Sequence, residues 1–159
     1  MIVRKILNSL LLLGSIMILP NFLFAQIKSY QFQQIDDLQK NEKRSTVVFI
    51  HTDWCKYCKL MQQTTFKNKN IIKLLNEQFY FIDFNAEEKL SITFNAKTFK
   101  YKPTGSNTGI HELAEQLATV DSKISYPTLC FLNPNNEIIF QYNEFINVKN
   151  LIILLQQLK

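Results

Sequence analysis

The chain has little of what builds loop-rich, disulfide-stapled or nucleic-acid-binding proteins. Its 159 residues include only three Gly and four Pro, which argues against a disordered or loop-dominated chain. Three Cys are too few for a framework of structural disulfides. The basic residues are scattered, with no run longer than Lys43-Arg44, so we expect no nucleic-acid partner. Because 47% of the residues are hydrophobic, we expect one globular domain with a sizeable core.

The N-terminus carries a long hydrophobic stretch, which predicts export. A short basic start precedes a mainly apolar segment over residues 6–19, and Ala25 supplies a small residue at the expected cleavage position. This layout is typical of a secretory signal peptide over residues 1–25, followed by a domain over residues 26–159 that is periplasmic or otherwise exported. The alternative is an uncleaved leader that anchors the domain in the membrane, because the apolar stretch is almost long enough to span a bilayer.

Apolar patterns along the domain predict alternating strands and helices. Strands are predicted over residues 27–32, 46–52, 79–84, 127–132 and 137–142. Helices are predicted to begin near residues 32, 55, 70, 108 and 147. An insertion over residues 85–109 separates the third strand from the final hairpin, with a small hairpin of residues 92–94 and 98–101 and a loop over 103–109. This order predicts an α/β protein with a central mixed β-sheet flanked by helices.

The most informative stretch is the motif Trp54-Cys55-Lys56-Tyr57-Cys58, which directly follows a strand of apolar residues. A strand that ends in two cysteines three residues apart and turns into a helix predicts a dithiol redox site. The helix start directs unpaired backbone N–H groups and the positive end of its dipole at Cys55, which favours the thiolate. Cys58 lies one helical turn further on, within reach to close a disulfide.

A zinc or copper clamp is the alternative interpretation of the same two thiols. A structural zinc site generally uses four protein ligands, and the chain has no second pair of cysteines at this spacing and no nearby pair of histidines. We therefore expect no metal and no cofactor. Cys130 is interpreted as a buried, inert thiol, and His51 as a core or rim histidine.

The chain resembles the thioredoxin superfamily in three places. Trp54-Cys-x-x-Cys-Lys59 matches the family active site, and Tyr126-Pro127-Thr128 matches the proline that the family holds in the cis form facing the dithiol. The hairpin and helix that follow match the C-terminal half of the family, so the resemblance covers most of residues 27–159. It implies a thioredoxin-like fold and an exported thiol–disulfide oxidoreductase that acts on protein thiols and disulfides, with an upstream redox partner in the membrane.

The resemblance also implies roles for the motif residues. Cys55 is expected to attack a substrate disulfide with a pKa below the free-thiol value of about 8.5, and Cys58 to resolve the mixed disulfide. Trp54 is expected to pack beside the dithiol, or alternatively in the core. Lys56 and Tyr57, which lie between the thiols, are expected to influence the redox potential.

A second site is implied at Tyr126 and Pro127. In the family the backbone of the residue before the cis-proline pairs with an incoming peptide as an added strand, which here assigns substrate binding to Tyr126. On the bare sequence, Pro127 also fits an ordinary proline that opens an edge strand.

The chain departs from the family pattern at the strand before the motif. Thioredoxins usually carry a buried carboxylate there, and counting back from Cys55 this place is held by Phe49. A Lys usually faces it from the next strand, where the approximate counterpart is Asp83. Our hypothesis is that Asp83 has taken over the acid/base role. The alternative is a strand-end Asp satisfied by backbone amides.

Other functions remain open on the sequence. The chief alternative is a non-catalytic thioredoxin-fold binding module or metallochaperone that presents the same dithiol to a partner or a metal. A thiol peroxidase is disfavoured, because no peroxidatic pocket pattern is present. The motif does not distinguish a reductase from an oxidase or an isomerase.

Overall fold

The computed structural model of the protein describes residues 26–159, so the predicted signal peptide over residues 1–25 lies outside the described residues. Five α-helices occur in the described range, with a short 3-10 helix (Thr65–Lys67) between the second and the third. They are α1 (Phe32–Asn41), α2 (Lys56–Gln63), α3 (Lys69–Gln78), α4 (Glu112–Ala118) and α5 (Val148–Gln157). None of the described helices is long and apolar enough to cross a membrane.

A four-stranded mixed sheet forms the centre of the domain. Its strands are β1 (Ser45–His51), β2 (Phe79–Asn85), β9 (Thr128–Leu132) and β10 (Ile138–Tyr142). The strand order is β10-β9-β1-β2, in which β1 runs parallel to β2 and antiparallel to β9. The predicted α/β class and the mixed central sheet are therefore confirmed.

Both faces of the sheet are covered, which explains why β1 is apolar without alternation. Val47 and Phe49 point into a cluster with residues of α2, α3 and α5, here called the dithiol face. Val48 and Ile50 point into a second cluster with residues of α1 and α4, here called the opposite face. The four side chains are at most 1% exposed. Each face removes a continuous apolar surface from water, and this burial is the main stabilising term of the fold.

The prediction of a strand over residues 27–32 is wrong. Only Ser29 of that stretch pairs with the sheet, through an isolated parallel bridge to Phe81. Phe32 instead begins α1, where it is buried on the opposite face, and the Gln34 side chain accepts a hydrogen bond from the Gln31 N–H at 2.8 Å. A side chain that satisfies a free N–H favours a helix start at this point. The insertion therefore follows the second strand of the described chain rather than the third.

The insertion holds more regular structure than its sequence predicts. The expected small hairpin is present as β3 (Ile92–Phe94) and β4 (Lys97–Phe99). The segment predicted as a loop over 103–109 contributes to a second hairpin, in which β5 (Tyr101–Pro103) pairs with β6 (Gly109–His111). Gly109 is required in this hairpin, because a Cβ atom there would collide with the ring of Tyr101.

The helix after the insertion begins later than predicted. Residues near 108 are in a strand, and α4 begins at Glu112 because the His111 side chain caps it: Nδ1 accepts the Leu113 N–H at 3.2 Å. The helix also ends earlier than its apolar spacing suggests. Val120 lies in a third small hairpin of β7 (Thr119–Val120) and β8 (Lys123–Ile124).

The C-terminal half agrees with the prediction. Strands β9 and β10 form an antiparallel hairpin around a turn at residues 133–136. Asn147 caps α5, since its side-chain oxygen accepts the Asn150 N–H at 3.0 Å. Leu151 and Leu155 then bury the apolar side of the helix on the dithiol face.

Candidate functional site

Cys55 and Cys58 form a disulfide at the N-terminus of α2, with an S–S distance of 2.02 Å. Cys55 is the N-cap of the helix, and its Sγ accepts the backbone N–H of Cys58 at 3.1 Å. Cys55 is 5% exposed and Cys58 is 0% exposed. The first sulfur is therefore the one that an incoming group reaches, and it already sits against a helix N–H.

The local fold follows from the sequence of the motif. Strand β1 ends at His51, and a turn brings the Cys55 N–H to the Thr52 carbonyl at 3.2 Å before α2 begins. A helix that starts here leaves its first N–H groups directed at the N-cap side chain. In the reduced protein these groups and the helix dipole stabilise a Cys55 thiolate over the thiol.

Phe49 packs in the same buried cluster as both cysteines, together with Met61 and Phe66. Its ring is 0% exposed, and its centroid lies 4.8 Å from that of Phe66. The buried members of this cluster are apolar residues and the two cysteines. The place where the resembled family carries a buried carboxylate is thus filled by an aromatic ring.

Asp83 lies opposite Phe49 in the register of β1 and β2. Its carboxylate Oδ1 is 2.8 Å from Nε2 of His51, and its side chain is 42% exposed. The backbone N–H of Asp83 donates to Ser29 Oγ at 3.2 Å. Within residues 26–159 its side chain therefore meets an imidazole rather than backbone amides, and none of its contacts reaches a sulfur. His51 in turn stacks on Phe49, with ring centroids 5.2 Å apart.

The structure brings Trp54 and Tyr126 together near the dithiol. The Tyr126–Pro127 peptide bond is cis, and Tyr126 packs against the cluster that contains both cysteines. The ring of Trp54 is edge-on to that of Tyr126 at 6.0 Å and is 66% exposed. Trp54 is therefore a surface residue beside the disulfide and not a core residue. Burial, with smaller contributions from Glu87 and Glu115, raises the pKa of the Tyr126 phenol to about 12.

The first two turns of α2 carry an open surface groove. A groove of about 530 Å³ is lined by Lys56, Tyr57, Lys59, Leu60 and Gln63. Tyr57 is 61% exposed, and its ring lies 6.2 Å from that of Phe145. Lys56 and Tyr57, the two residues between the cysteines, are thus exposed to the solvent.

Glu87 also lies against the motif, and the sequence does not predict this contact. Its Oε1 accepts the indole N–H of Trp54 at 3.3 Å, so the first residues of the insertion lie against the motif. No pattern in the sequence signals this contact, because it depends on the path of the chain after β2. Among residues 26–159, no group of three or more His, Cys, Asp or Glu is arranged to hold a metal ion.

Cys130 and His111 lie on the opposite face of the sheet or at its margin. Cys130 is 0% exposed within β9, and burial raises the pKa of its thiol to about 12. His111 is also 0% exposed, with Nε2 3.2 Å from the Leu90 carbonyl oxygen and Nδ1 accepting the Leu113 N–H. Burial lowers the pKa of His111, since the charged imidazolium is the form that loses solvation. Neither side chain contacts the disulfide.

Comparison with known proteins places the fold. The family model described as a thioredoxin-like domain matches residues 31–159. Similar solved structures include the DsbH oxidoreductase, at 14% identity over 83% of each chain with a TM-score of 0.57. A thioredoxin from Thermus thermophilus is 18% identical, over 83% of this chain and 86% of that chain, with a TM-score of 0.58.

A third similar structure is the reduced C-terminal domain of DsbD from Neisseria meningitidis. It is 16% identical over 80% of this chain and 92% of that chain, with a TM-score of 0.53. At these identities the likeness shows a shared fold, and the predicted thioredoxin-like fold is confirmed. No curated protein matches the chain in sequence.

Proposed function

Because the chain belongs to the family of thioredoxin-like domains, we propose that it is an exported thiol–disulfide oxidoreductase that exchanges disulfides with protein substrates. The observation that carries this proposal is the Cys55–Cys58 disulfide at the N-terminus of α2, with the Cys58 N–H directed at the first sulfur. A dithiol in this position combines an activated thiolate with a second thiol that lies within bonding distance.

The proposed reaction transfers two electrons between this dithiol and a substrate disulfide. In the reducing direction the Cys55 thiolate attacks one substrate sulfur, the substrate S–S bond breaks, and the leaving sulfur takes up a proton. Cys58 then loses its proton and attacks Cys55 Sγ, which releases the second substrate thiol and closes the Cys55–Cys58 disulfide. The reverse sequence oxidises a substrate dithiol, and the reduction potential decides which direction prevails.

Substrate binding is assigned to the cis-proline loop and the aromatic residue beside it. Tyr126 packs against the cluster that contains both cysteines, and its backbone, next to the cis peptide bond to Pro127, is proposed to pair with an extended substrate segment. Trp54 supplies an exposed apolar surface along the same approach. These contacts would hold the substrate sulfur against Cys55 during the exchange.

Strand β1 offers no carboxylate to accept the proton of Cys58, because Phe49 fills the place where the family carries one. We assign the acid/base role to Asp83, which lies across the register from Phe49 and holds His51 at 2.8 Å. The contact with His51 supports this role, because the imidazole stacks on Phe49 and so extends a polar contact from Asp83 toward the cluster that holds both cysteines.

Export is proposed from the leader over residues 1–25, with the domain over residues 26–159 acting in the periplasm or otherwise outside the cytoplasm. An uncleaved leader would instead tether the domain to the membrane, where its upstream redox partner is proposed to reside. The mass of the protein recovered from the exported fraction tests this assignment. A chain that begins at Gln26 supports cleavage, and an unprocessed chain that stays with the membranes supports the tether.

The activity is tested by insulin reduction with dithiothreitol. The unaltered chain is expected to accelerate the precipitation of insulin, and Cys55→Ser is expected to abolish the acceleration, because no mixed disulfide with substrate forms. Cys130→Ala serves as the matched control, since it removes the cysteine that lies away from the site. If the chain and its Cys55→Ser variant behave alike, the oxidoreductase proposal fails.

A further inference from the structure

We propose that Glu87, with the aromatic rings of Trp54 and Tyr126, forms a recognition site for a Lys or Arg side chain next to the reactive cysteine of the substrate. This inference rests on the proposed function and names the class of protein segment that the site accepts. Three features of the structure support it: the fixed position of Glu87, the exposed aromatic surface, and the opposite charge of the exposed surface of α2.

Hydrogen bonds to and from neighbouring residues fix the position of Glu87. The preceding Ala86 is 0% exposed, and its N–H donates to the His51 carbonyl oxygen at 2.7 Å. The N–H of Glu87 itself donates to Asn85 Oδ1 at 2.9 Å. The carboxylate then accepts the Trp54 indole N–H at 3.3 Å. A carboxylate held at both its backbone and its tip presents a charge at a defined place beside the disulfide.

The aromatic rings complete a surface suited to a cation. Trp54 is 66% exposed and stands edge-on to Tyr126, so one face of its indole is open to an incoming side chain. The face of a Trp ring attracts Lys and Arg, and a nearby carboxylate adds a direct ion pair. Tyr126 also belongs to the loop that is proposed to pair with the substrate backbone, which brings substrate side chains to this point.

Glu87 is available to a substrate cation. Within residues 26–159 it takes part in no salt bridge, whereas Glu115, the other carboxylate that acts on the Tyr126 phenol, is paired with Lys102 Nζ at 2.7 Å. Asp53 lies on the same side and adds a second negative charge, with its Oδ1 accepting a hydrogen bond from Asn85 Nδ2.

The exposed surface of α2, which follows Cys55, has the opposite charge. Lys56 and Lys59 line the groove around Tyr57 and Leu60, and neither forms a salt bridge in the described part of the chain. A basic substrate side chain is repelled there and attracted at Glu87. The site therefore discriminates between substrates and also sets the direction in which a charged segment lies across the disulfide.

The test is a single-turnover reaction of the reduced, full-length chain with short peptides. Each peptide carries one cysteine as a mixed disulfide with 2-thiopyridine, and attack on the peptide sulfur releases thiopyridone, whose absorbance is followed. The peptides differ only in having Lys, Gln or Glu beside the cysteine, on either side of it. The unaltered chain is expected to react about fivefold faster with the preferred Lys peptide than with its Gln counterpart, and slowest with Glu.

The decisive measurement is the ratio of Lys to Glu rates within each variant. Glu87→Gln keeps an acceptor for the Trp54 N–H and removes the charge, so the ratio is expected to fall toward one. Glu77→Gln is the matched control, because Glu77 is exposed at the end of the sheet that holds Ser45, away from the motif. High salt is expected to lower the ratio of the unaltered chain and to leave that of Glu87→Gln unchanged.

The outcomes separate this inference from the proposed function. Equal rates with all peptides, or a ratio that survives Glu87→Gln, overturn the recognition site and leave the oxidoreductase proposal intact. If no peptide reacts with the reduced chain, the proposed function itself fails.

Discussion

Each face of the sheet holds a completely buried cysteine, and the two thiols are expected to differ in reactivity. Cys58 on the dithiol face and Cys130 on the opposite face are both 0% exposed. Cys58 lies in the first turn of a helix beside a second thiol, whereas Cys130 lies in the middle of β9 among apolar side chains, where burial raises its pKa to about 12. Burial alone therefore does not decide whether a thiol is reactive. The nearby N–H groups and the partner sulfur decide it.

The largest expected difference is in alkylation of the reduced protein. The thiolate fraction at pH 7 of a Cys55 thiol with a pKa at or below about 8.5 exceeds that of Cys130 by at least about a thousandfold. Iodoacetamide labelling followed by mass spectrometry of the peptides is expected to modify Cys55 first and to leave Cys130 unmodified while the protein stays folded. Labelling of Cys130 at the rate of Cys55 would contradict the comparison.

A large effect on stability is expected from Phe49→Ala. Removing this fully buried ring leaves a cavity beside the dithiol and is expected to lower the free energy of unfolding by about 3–5 kcal/mol. Phe84→Ala is the matched control on the opposite face, with a similar expected loss. Denaturant unfolding measures both losses, and only Phe49→Ala is expected to change the alkylation rate of Cys55. Equal alkylation rates in the two variants would show that the packing of Phe49 does not act on the thiols.

A smaller effect is expected from Asp83→Asn, which keeps the shape of the side chain and removes its charge. If Asp83 moves the proton of Cys58, turnover is expected to fall by up to about a hundredfold at neutral pH, the low end for general acid–base catalysis, with a change in the shape of the pH profile of turnover. Asp37→Asn, at an exposed carboxylate on α1, is the control. An unchanged pH profile in Asp83→Asn would remove the acid/base role.

The smallest effect is expected at His111, where stability should depend on pH. Burial holds the pKa of His111 below its ordinary value of 6.5. On acidification the imidazole is therefore protonated in the unfolded chain at a pH where it is still neutral in the folded chain. Stability from this residue is therefore present above pH 6.5 and is lost as the pH falls from 6.5 toward the lower folded pKa. Unfolding midpoints measured at several pH values are expected to fall more steeply below pH 6.5 in the unaltered chain than in His111→Asn. Parallel curves would contradict the assignment.

The sequence predicts those parts of the fold that depend on local chemistry. The start of α2 at the motif, the cap of α5 at Asn147 and the apolar strand β1 are each readable from neighbouring residues, because each depends on a cap or on continuous burial. The cis bond before Pro127 is likewise predictable once the family resemblance is recognised.

The sequence does not predict features that depend on how distant segments meet. The β5–β6 hairpin includes residues whose sequence predicts a polar loop. Its two strands meet where the ring of Tyr101 packs against Gly109. The start of α4 depends on a histidine cap that is held in turn by the Leu90 carbonyl. The contact of Glu87 with Trp54 spans 33 positions of sequence and leaves no periodic signal.

The points at which the chain leaves the sheet after β2 and returns to it at β9 affect how the protein can evolve. Asn85 at the end of β2 lies beside His51 at the end of β1, and Thr128 at the start of β9 lies opposite Ile50. The segment between β2 and β9, which contains the insertion, thus leaves and re-enters the sheet at the end that carries the dithiol. Substitutions at its exposed positions would remodel the surroundings of the disulfide without shifting the pairing of the four central strands. Substrate preference and redox chemistry are therefore free to diverge at separate rates within one chain.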